Sequence, residues 1–468
     1  MSVLFPALKS MGNESVGPIF YLTARGTTRT AAENALTILR DTEPELHLRS
    51  VTLTAKDKIC LCETRECTPE ACPYANGYYA RIKGALWDVL DVPCLTAETL
   101  QEYAERHTVC PFELGLDSSL WSDVIIGDYN YLFDPVVHLV RFFESAGDYI
   151  FLVDEAHNLP GRAREMHSAA LTKTSFYEAK KLLGKGKSSL KNALTKVNDA
   201  FIEWRHCAEE ETAARDGRFG KTFFLKERSE ELDHLLNRLC EPLEAWLDDH
   251  REPDETHTTL LQLYFDVRAW LRVADTFDDH FVLQITASGS EVRAAQLCLD
   301  PSAFLADSFA LGRAAVLFSA TLAPASYYKD LCGVPEARAV ALRSPFPAGN
   351  QGLFCIGNVS TRYKDRDASL AIVEESLATM VRARCGNYLA FFPSYAYMEQ
   401  AYAQFKEYCP EINCIKQENA MDEQQKAAFL AQFVPGPSQT LLGFAVMGGV
   451  FGEGVDLTGD RLIGVGIV

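Results

Sequence analysis

Asp154 and Glu155 are adjacent carboxylates placed directly after the apolar run Tyr149–Val153. That run has the composition of a buried parallel strand, and in open α/β sheets reactive groups collect at the carboxyl ends of strands. Two ionised acids leaving a buried strand are costly without a cation. Mg²⁺ carried on triphosphate oxygens suits them, because it prefers carboxylate, water and phosphate ligands. Asp154 would then hold the ion, through water, and Glu155 would orient or deprotonate the attacking water. His157 would sense the γ-phosphate or couple to a neighbouring domain. An acidic turn after a strand also produces such a tetrapeptide by chance, so the neighbouring motifs must carry the assignment.

A second group is made of thiols. Cys60, Cys67 and Cys72 are separated by six and four residues, and Cys110 stands 37 residues beyond Cys72. Four thiolates suffice for zinc or for an iron–sulfur cluster. The C-x₂-C pairs that favour zinc are absent, which leans toward a cluster, and Cys62 is a fifth candidate. The polar surroundings argue against four unrelated core cysteines. The other nine cysteines stand singly and read as small core residues.

Around these groups the chain alternates between strand and helix patterns, which predicts a parallel sheet covered by helices. Strand-like runs fall at Ile19–Thr23, Val51–Ala55, Asp123–Gly127 and Asp148–Val153, and a helical face carries Ala32, Ala35, Leu36 and Leu39. The alternation breaks over 58–110, which is rich in Cys, Pro and Tyr. From about Pro160 to Asp275 the pattern is helical, then strands are expected at Phe281–Ile285, Ala294–Leu299 and Ala314–Phe318. A second α/β unit begins near Ser344. Its expected strands are Tyr388–Phe392, Cys414–Gln417, Thr440–Val446 and Leu462–Val468, with helices at Tyr395–Tyr408 and Asp422–Phe433.

With 468 residues, several domains are expected. The net charge of −19 speaks against nucleic acid as a partner, but it is unevenly spread. Between Asn158 and Val197 nine Lys/Arg face two Glu, either a solvated helical face or part of a nucleic-acid channel. No run is long enough to span a bilayer, and no secretory signal opens the chain, so a cytoplasmic protein is expected.

Taken in order, these motifs resemble the iron–sulfur helicases of superfamily 2, the XPD/DinG group, over nearly the whole chain. Phe20–Arg25 resembles motif Ia, Asp154–His157 motif II and Ser319–Leu322 motif III. Phe391–Tyr395 resembles motif IV, and Gly448-Gly449 with Glu453–Leu457 motif V. Asp128–Leu132 resembles the stretch before motif II. The resemblance implies an ATP-dependent 5′-to-3′ DNA helicase using Mg²⁺ and a [4Fe-4S] cluster, acting on single-stranded DNA or DNA junctions. Cys60, Cys67, Cys72 and Cys110 would be the cluster ligands. Asp154, Glu155 and His157 would be catalytic, and Ser319, Thr321, Glu453 and Asp456 would couple ATP state to DNA. Thr23 and Arg25 would contact the DNA backbone.

The implied architecture is two RecA-like parallel-sheet domains, both incomplete, with two insertions. The first RecA-like domain would take 1–57, 111–159 and 279–343. The iron–sulfur domain would take 58–110, a helical Arch-like insertion 160–278, and the second RecA-like domain 344–468. No G-x-x-x-x-G-K-[ST] loop is present. Gly186-Lys187-Ser188 and Gly220-Lys221-Thr222 are decoys, with Lys181 and Arg215 where the first glycine belongs. The motif VI arginines are absent too. The chain is therefore expected to be an internal piece of a longer protein that does not hydrolyse ATP alone. The alternatives are a non-catalytic module binding single strands or junctions, and a zinc-stabilised interaction protein.

Overall fold

The structure is a computed structural model and describes residues 2–13, 16–24, 26–43, 45–184, 188–214, 221–252, 254–452 and 455–468. The chain divides into Met1–Val340 and Ala341–Val468.

In the first unit the strands are β1 (Ile19–Thr23), β2 (Ser50–Thr52), β3 (Cys94–Leu95), β4 (Val124–Asp128), β5 (Ile150–Asp154), β6 (Ala169–Thr172), β7 (Thr222–Leu225), β8 (Phe281–Ser288), β9 (Glu291–Cys298) and β10 (Ala314–Phe318). Six of them form a parallel sheet in the order β10-β5-β1-β4-β2-β3. The central strands are nearly continuous apolar runs because both faces are covered. Alternate residues supply the two faces. Ile19, Tyr21, Ile150 and Leu152 pack with Leu4, Ala32 and Leu36 on one side. Phe20, Leu22, Phe151 and Val153 pack with Phe142 and Phe143 on the other.

The segment 58–110, which showed little periodicity, contains the helices Tyr78–Val89 and Ala97–His107. Tyr78, Ile82, Ala85 and Val89 are the buried stripe of the first. Their spacing of four, three and four is helical, but Cys and Pro on the flanks hide it.

The helical stretch after Pro160 also differs from expectation. Its long helices Ser189–Ala214, Glu230–Asp249 and Glu255–Thr276 pack over an antiparallel sheet ordered β6-β9-β8-β7. Strands β8 and β9, expected in the first parallel sheet, therefore belong to the insertion's own core, with Phe176, Phe201 and Trp270. Trp270 Nε1 donates to Asp233 Oδ1 at 2.8 Å within that core.

The second unit has β11 (Asn387–Phe392), β12 (Asn413–Lys416), β13 (Leu441–Val446) and β14 (Gly464–Ile467), all parallel, in the order β12-β13-β11-β14. The helix Tyr395–Tyr408 matches expectation, and Glu423–Ala431 starts from a capping box on Asp422.

The single cysteines do not all sit in cores. Cys240, Cys298, Cys332 and Cys409 are buried, and Cys94 and Cys414 half-buried, but Cys207, Cys355 and Cys385 are exposed. A lone cysteine in sequence carries no mark of which side of its element it takes.

Candidate active site and cysteine lobe

Asp154 ends β5, and its side chain follows the face set by Ile150 and Leu152. Tyr21 lies on the same face of the neighbouring strand, where it is paired with Leu152. Its hydroxyl therefore reaches Asp154 and donates to Oδ2 at 2.8 Å. The other carboxylate oxygen accepts from the Glu155 amide at 2.9 Å. Burial, and then the Asp154 charge, raises the Tyr21 phenol, so it remains a donor.

Behind the acids, Tyr129 is fully buried and its hydroxyl donates to the carbonyls of Asp154 and Glu155, the latter at 3.0 Å. Glu155 itself takes the left-handed conformation, φ 48°. That backbone is uncommon outside glycine and asparagine, and it re-aims the chain from the strand into the turn carrying His157.

Strand β10 pairs with β5, with Phe318 opposite Asp154, so Ser319 arrives beside the acids. Ser319 Oγ donates to Glu155 Oε2 at 2.9 Å. It also lies 2.8 Å from His157 Nδ1 and 3.1 Å from the Thr321 amide. A hydroxyl has one proton and two lone pairs. With its proton given to Glu155, it must accept from Thr321 N–H and from a protonated His157 Nδ1. The network thus assigns the histidine tautomer. His157 Nδ1 is also 3.3 Å from Glu155 Oε2.

Five of the residues expected to act in chemistry and coupling, Asp154, Glu155, His157, Ser319 and Thr321, are thus brought together. Thr23 is buried at the end of β1, and Asp456 is exposed in the second unit. Arg25 and Glu453 lie outside the described residues. Sequence reading missed Tyr21 and Tyr129. The available signal was chemical: a buried tyrosine hydroxyl needs an acceptor. Of the decoy Gly220-Lys221-Thr222, the two described residues, Lys221 and Thr222, serve the insertion. Lys221 pairs with Glu209 Oε1 at 3.0 Å, and Thr222 starts β7.

The acids fit a divalent cation. Among the described residues neither carboxylate is paired with lysine or arginine. Among the described residues each Asp154 oxygen accepts one hydrogen bond and keeps lone-pair capacity for a further ligand. Burial raises Asp154 above the usual carboxylate range, although Tyr21 and the Glu155 amide oppose the shift. An acid with a raised folded pKa favours the folded state while it is neutral. That contribution is present at low pH and is lost as pH rises past the ordinary carboxylate value. Relative to Asp154→Asn, the wild-type chain should therefore be most stable in acid and lose ground as pH rises without divalent ions. Urea midpoints of both proteins across the acid range check this, and a flat difference refutes it.

The thiols are gathered only in part. Cys62 Sγ lies 3.9 Å from Cys72 Sγ. Cys67 and Cys110 sit near Lys56, whose ammonium is depressed by burial but raised overall by these thiols and Glu113. Among the described residues no three His, Cys, Asp or Glu form a group able to hold one metal ion. The donor chemistry suits a cluster, and all five cysteines fall between Cys60 and Cys110 in one lobe of the first unit.

The DEAD_2 family model matches residues 42–176, and the Helicase C-terminal domain model matches 377–468. The ATP-dependent DNA helicase CHL1 of Coccidioides immitis is 21% identical over 424 residues, covering 79% of this chain and 48% of that protein. The general transcription and DNA repair factor IIH helicase subunit XPD of Schizosaccharomyces pombe is 24% identical over 419 residues, covering 74% and 52%. A solved XPD helicase structure superposes with TM-score 0.53 at 16% identity, covering 96% of this chain and 77% of that one. That likeness concerns the fold, two RecA-like α/β units with insertions. The chain is thus similar, in two separately matched segments and over most of its length, to helicases of the XPD and CHL1 type, in keeping with the XPD/DinG resemblance. It spans about half the length of the two curated relatives described.

Proposed function

We propose that this chain is the cation, water and coupling half of an ATP-driven 5′-to-3′ DNA helicase. The observation that carries the reading is the Glu155–Ser319–His157 network. It joins the carboxylate suited to activating water to the strand end that resembles motif III. Bound Mg²⁺ would neutralise charge on the triphosphate. Asp154 would hold it, with Tyr21 fixing the orientation of that carboxylate. Glu155 would position the attacking water, and loss of its bond to Ser319 would be felt at Thr321 and at His157.

The 468 residues contain no G-x-x-x-x-G-K-[ST] motif for a phosphate-cradling loop. Without its lysine and backbone amides, charge developing on the γ-phosphate is unsupported. We therefore expect no DNA-stimulated ATP hydrolysis by the chain alone. In a chain that also carries such a loop, turnover is expected, and Glu155→Gln should lower it by about 10²–10⁴-fold. Hydrolysis by the 468 residues alone that vanishes in Glu155→Gln would overturn the first expectation. Unaltered turnover of the loop-bearing chain in that variant would overturn the assignment of Glu155.

The region 58–110 is proposed to carry a [4Fe-4S] cluster on Cys60, Cys67, Cys72 and Cys110. The segment from Pro160 through β9 is proposed as the Arch-like insertion. Single-stranded DNA or a junction is the proposed partner, with Thr23 and Arg25 proposed to contact the DNA backbone. Glu453 and Asp456 are proposed to couple ATP state to DNA from the second unit. No helix among the described residues is long and apolar enough to cross a membrane. Free thiols throughout suit the reducing cytoplasm we propose as its location.

A further inference from the structure

Charge is segregated in this protein. The chain carries −19 overall, yet residues 173–197 hold seven lysines and one glutamate, a local net of +6. The structure shows how part of that charge is displayed. On the helix Lys173–Leu182, Phe176 and Ala179 are buried in the insertion's core. Lys173, Tyr177, Lys180 and Lys181 fall at intervals of four, three and one, which places them along one stripe away from that core. Tyr177 is 57% exposed, so its ring is open to a partner beside the lysines.

The next helix, Ser189–Ala214, buries Leu190, Leu194 and Val197 against the same core. Lys191 donates from Nζ to the carbonyl of Gly184, tying the start of this helix to the end of the first. Lys173, Lys180 and Lys181 thus lie on one helix and Lys191 on the helix packed against it. At the opposite end of the stripe, Lys173 donates to the Ser290 carbonyl at 3.0 Å and Glu291 accepts from Thr174. The facing acids are few: Glu178 on the first helix, Glu291 at the β8–β9 turn, and Asp199 and Glu203 further along the second.

We infer that this lysine stripe with Tyr177 is a contact surface for single-stranded DNA, the lysines meeting phosphates and the tyrosine ring stacking on a base. The inference rests on the proposed helicase reading, since it names where the insertion would touch that motor's strand. A basic track interleaved with an exposed aromatic ring suits a single strand, because only unpaired bases offer a free face to the ring. Duplex DNA would use the lysines but leave the tyrosine idle. None of these residues is in the site around Asp154, so their substitution leaves that site intact.

The test is anisotropy of a labelled oligothymidylate with the full 468-residue chain over a range of salt. Lys180→Glu with Lys181→Glu should weaken binding on the order of tenfold and reduce the salt slope by about 1.4, two phosphates at ~0.7 each. Tyr177→Ala should weaken binding by roughly 5- to 100-fold and leave the salt slope unchanged. Lys180→Gln with Lys181→Gln serves if the charge reversal disturbs folding, with far-UV circular dichroism as the check. Wild-type binding that neither variant alters would overturn the stripe and leave the helicase reading standing. Absence of any wild-type binding would overturn both. Tighter binding to a duplex, with Tyr177→Ala without effect, would refute the single-strand assignment.

Discussion

Replacing Cys72 with serine is expected to remove the visible absorbance and the iron of anaerobically purified protein together. Cys72 is held by its own turn: its amide donates to the Thr68 carbonyl at 2.9 Å, and its carbonyl accepts from the Ala75 and Asn76 amides. The backbone that carries its thiol is therefore held by the chain's own hydrogen bonds. A cluster that loses one thiolate of four loses charge neutralisation as well as a bond, and binding energy lost there is folding energy lost in the lobe. Serine at Cys60, Cys67 or Cys110 should act alike. Cys62→Ser should keep both iron and colour. If Cys62→Ser bleaches the protein while Cys67→Ser does not, Cys62 replaces Cys67 as ligand, which its 3.9 Å approach to Cys72 would then explain. Stoichiometric zinc without iron in the wild-type protein would discard the cluster in favour of a structural zinc site.

The parts of the site that were legible in sequence are those carried by one short stretch. Asp154, Glu155 and His157 form one stretch, and Ser319 and Thr321 form another, so residue type and order sufficed. Tyr21 and Tyr129 were not legible as site residues. Their roles depend on which strand lies beside β5 and in what register, and nothing local to IFYLT states that Tyr21 will stand beside Leu152. The same limit misplaced β8 and β9. Both were recognised as strands, but their sheet was not. A usable signal was present in β8, whose burial alternates along FVLQITAS as a strand with one covered face requires. The parallel strands β1 and β5 are buried without interruption up to their last residues. Period-2 alternation against a continuous apolar run would have separated the two sheets.

The hydroxyl of Tyr129 is expected to matter more than its distance from the reacting atoms suggests. It donates to two successive carbonyls, those of Asp154 and Glu155, at the point where β5 turns into the left-handed Glu155 backbone. A left-handed non-glycine residue costs about 1–3 kcal/mol and persists only where its surroundings impose it. Tyr129 is such a surrounding: fully buried, its ring packed against Phe133 at 6.2 Å, with burial keeping the phenol protonated. Tyr129→Phe keeps the ring and strands the two carbonyls, so about 1–3 kcal/mol of stability should be lost. Tyr129→Ala adds a cavity and should cost roughly 3–5 kcal/mol. Urea unfolding reads both, with the midpoint falling and the slope unchanged if the folded state is otherwise intact. Ser319→Ala is the comparison. It removes the link between Glu155 and His157 from the open side of the turn, where water can replace the lost bonds, so its stability cost should be smaller than that of Tyr129→Phe. The opposite order would mean that the turn is held from β10 and not from Tyr129, and motif II would then depend on the strand end that it is proposed to signal to.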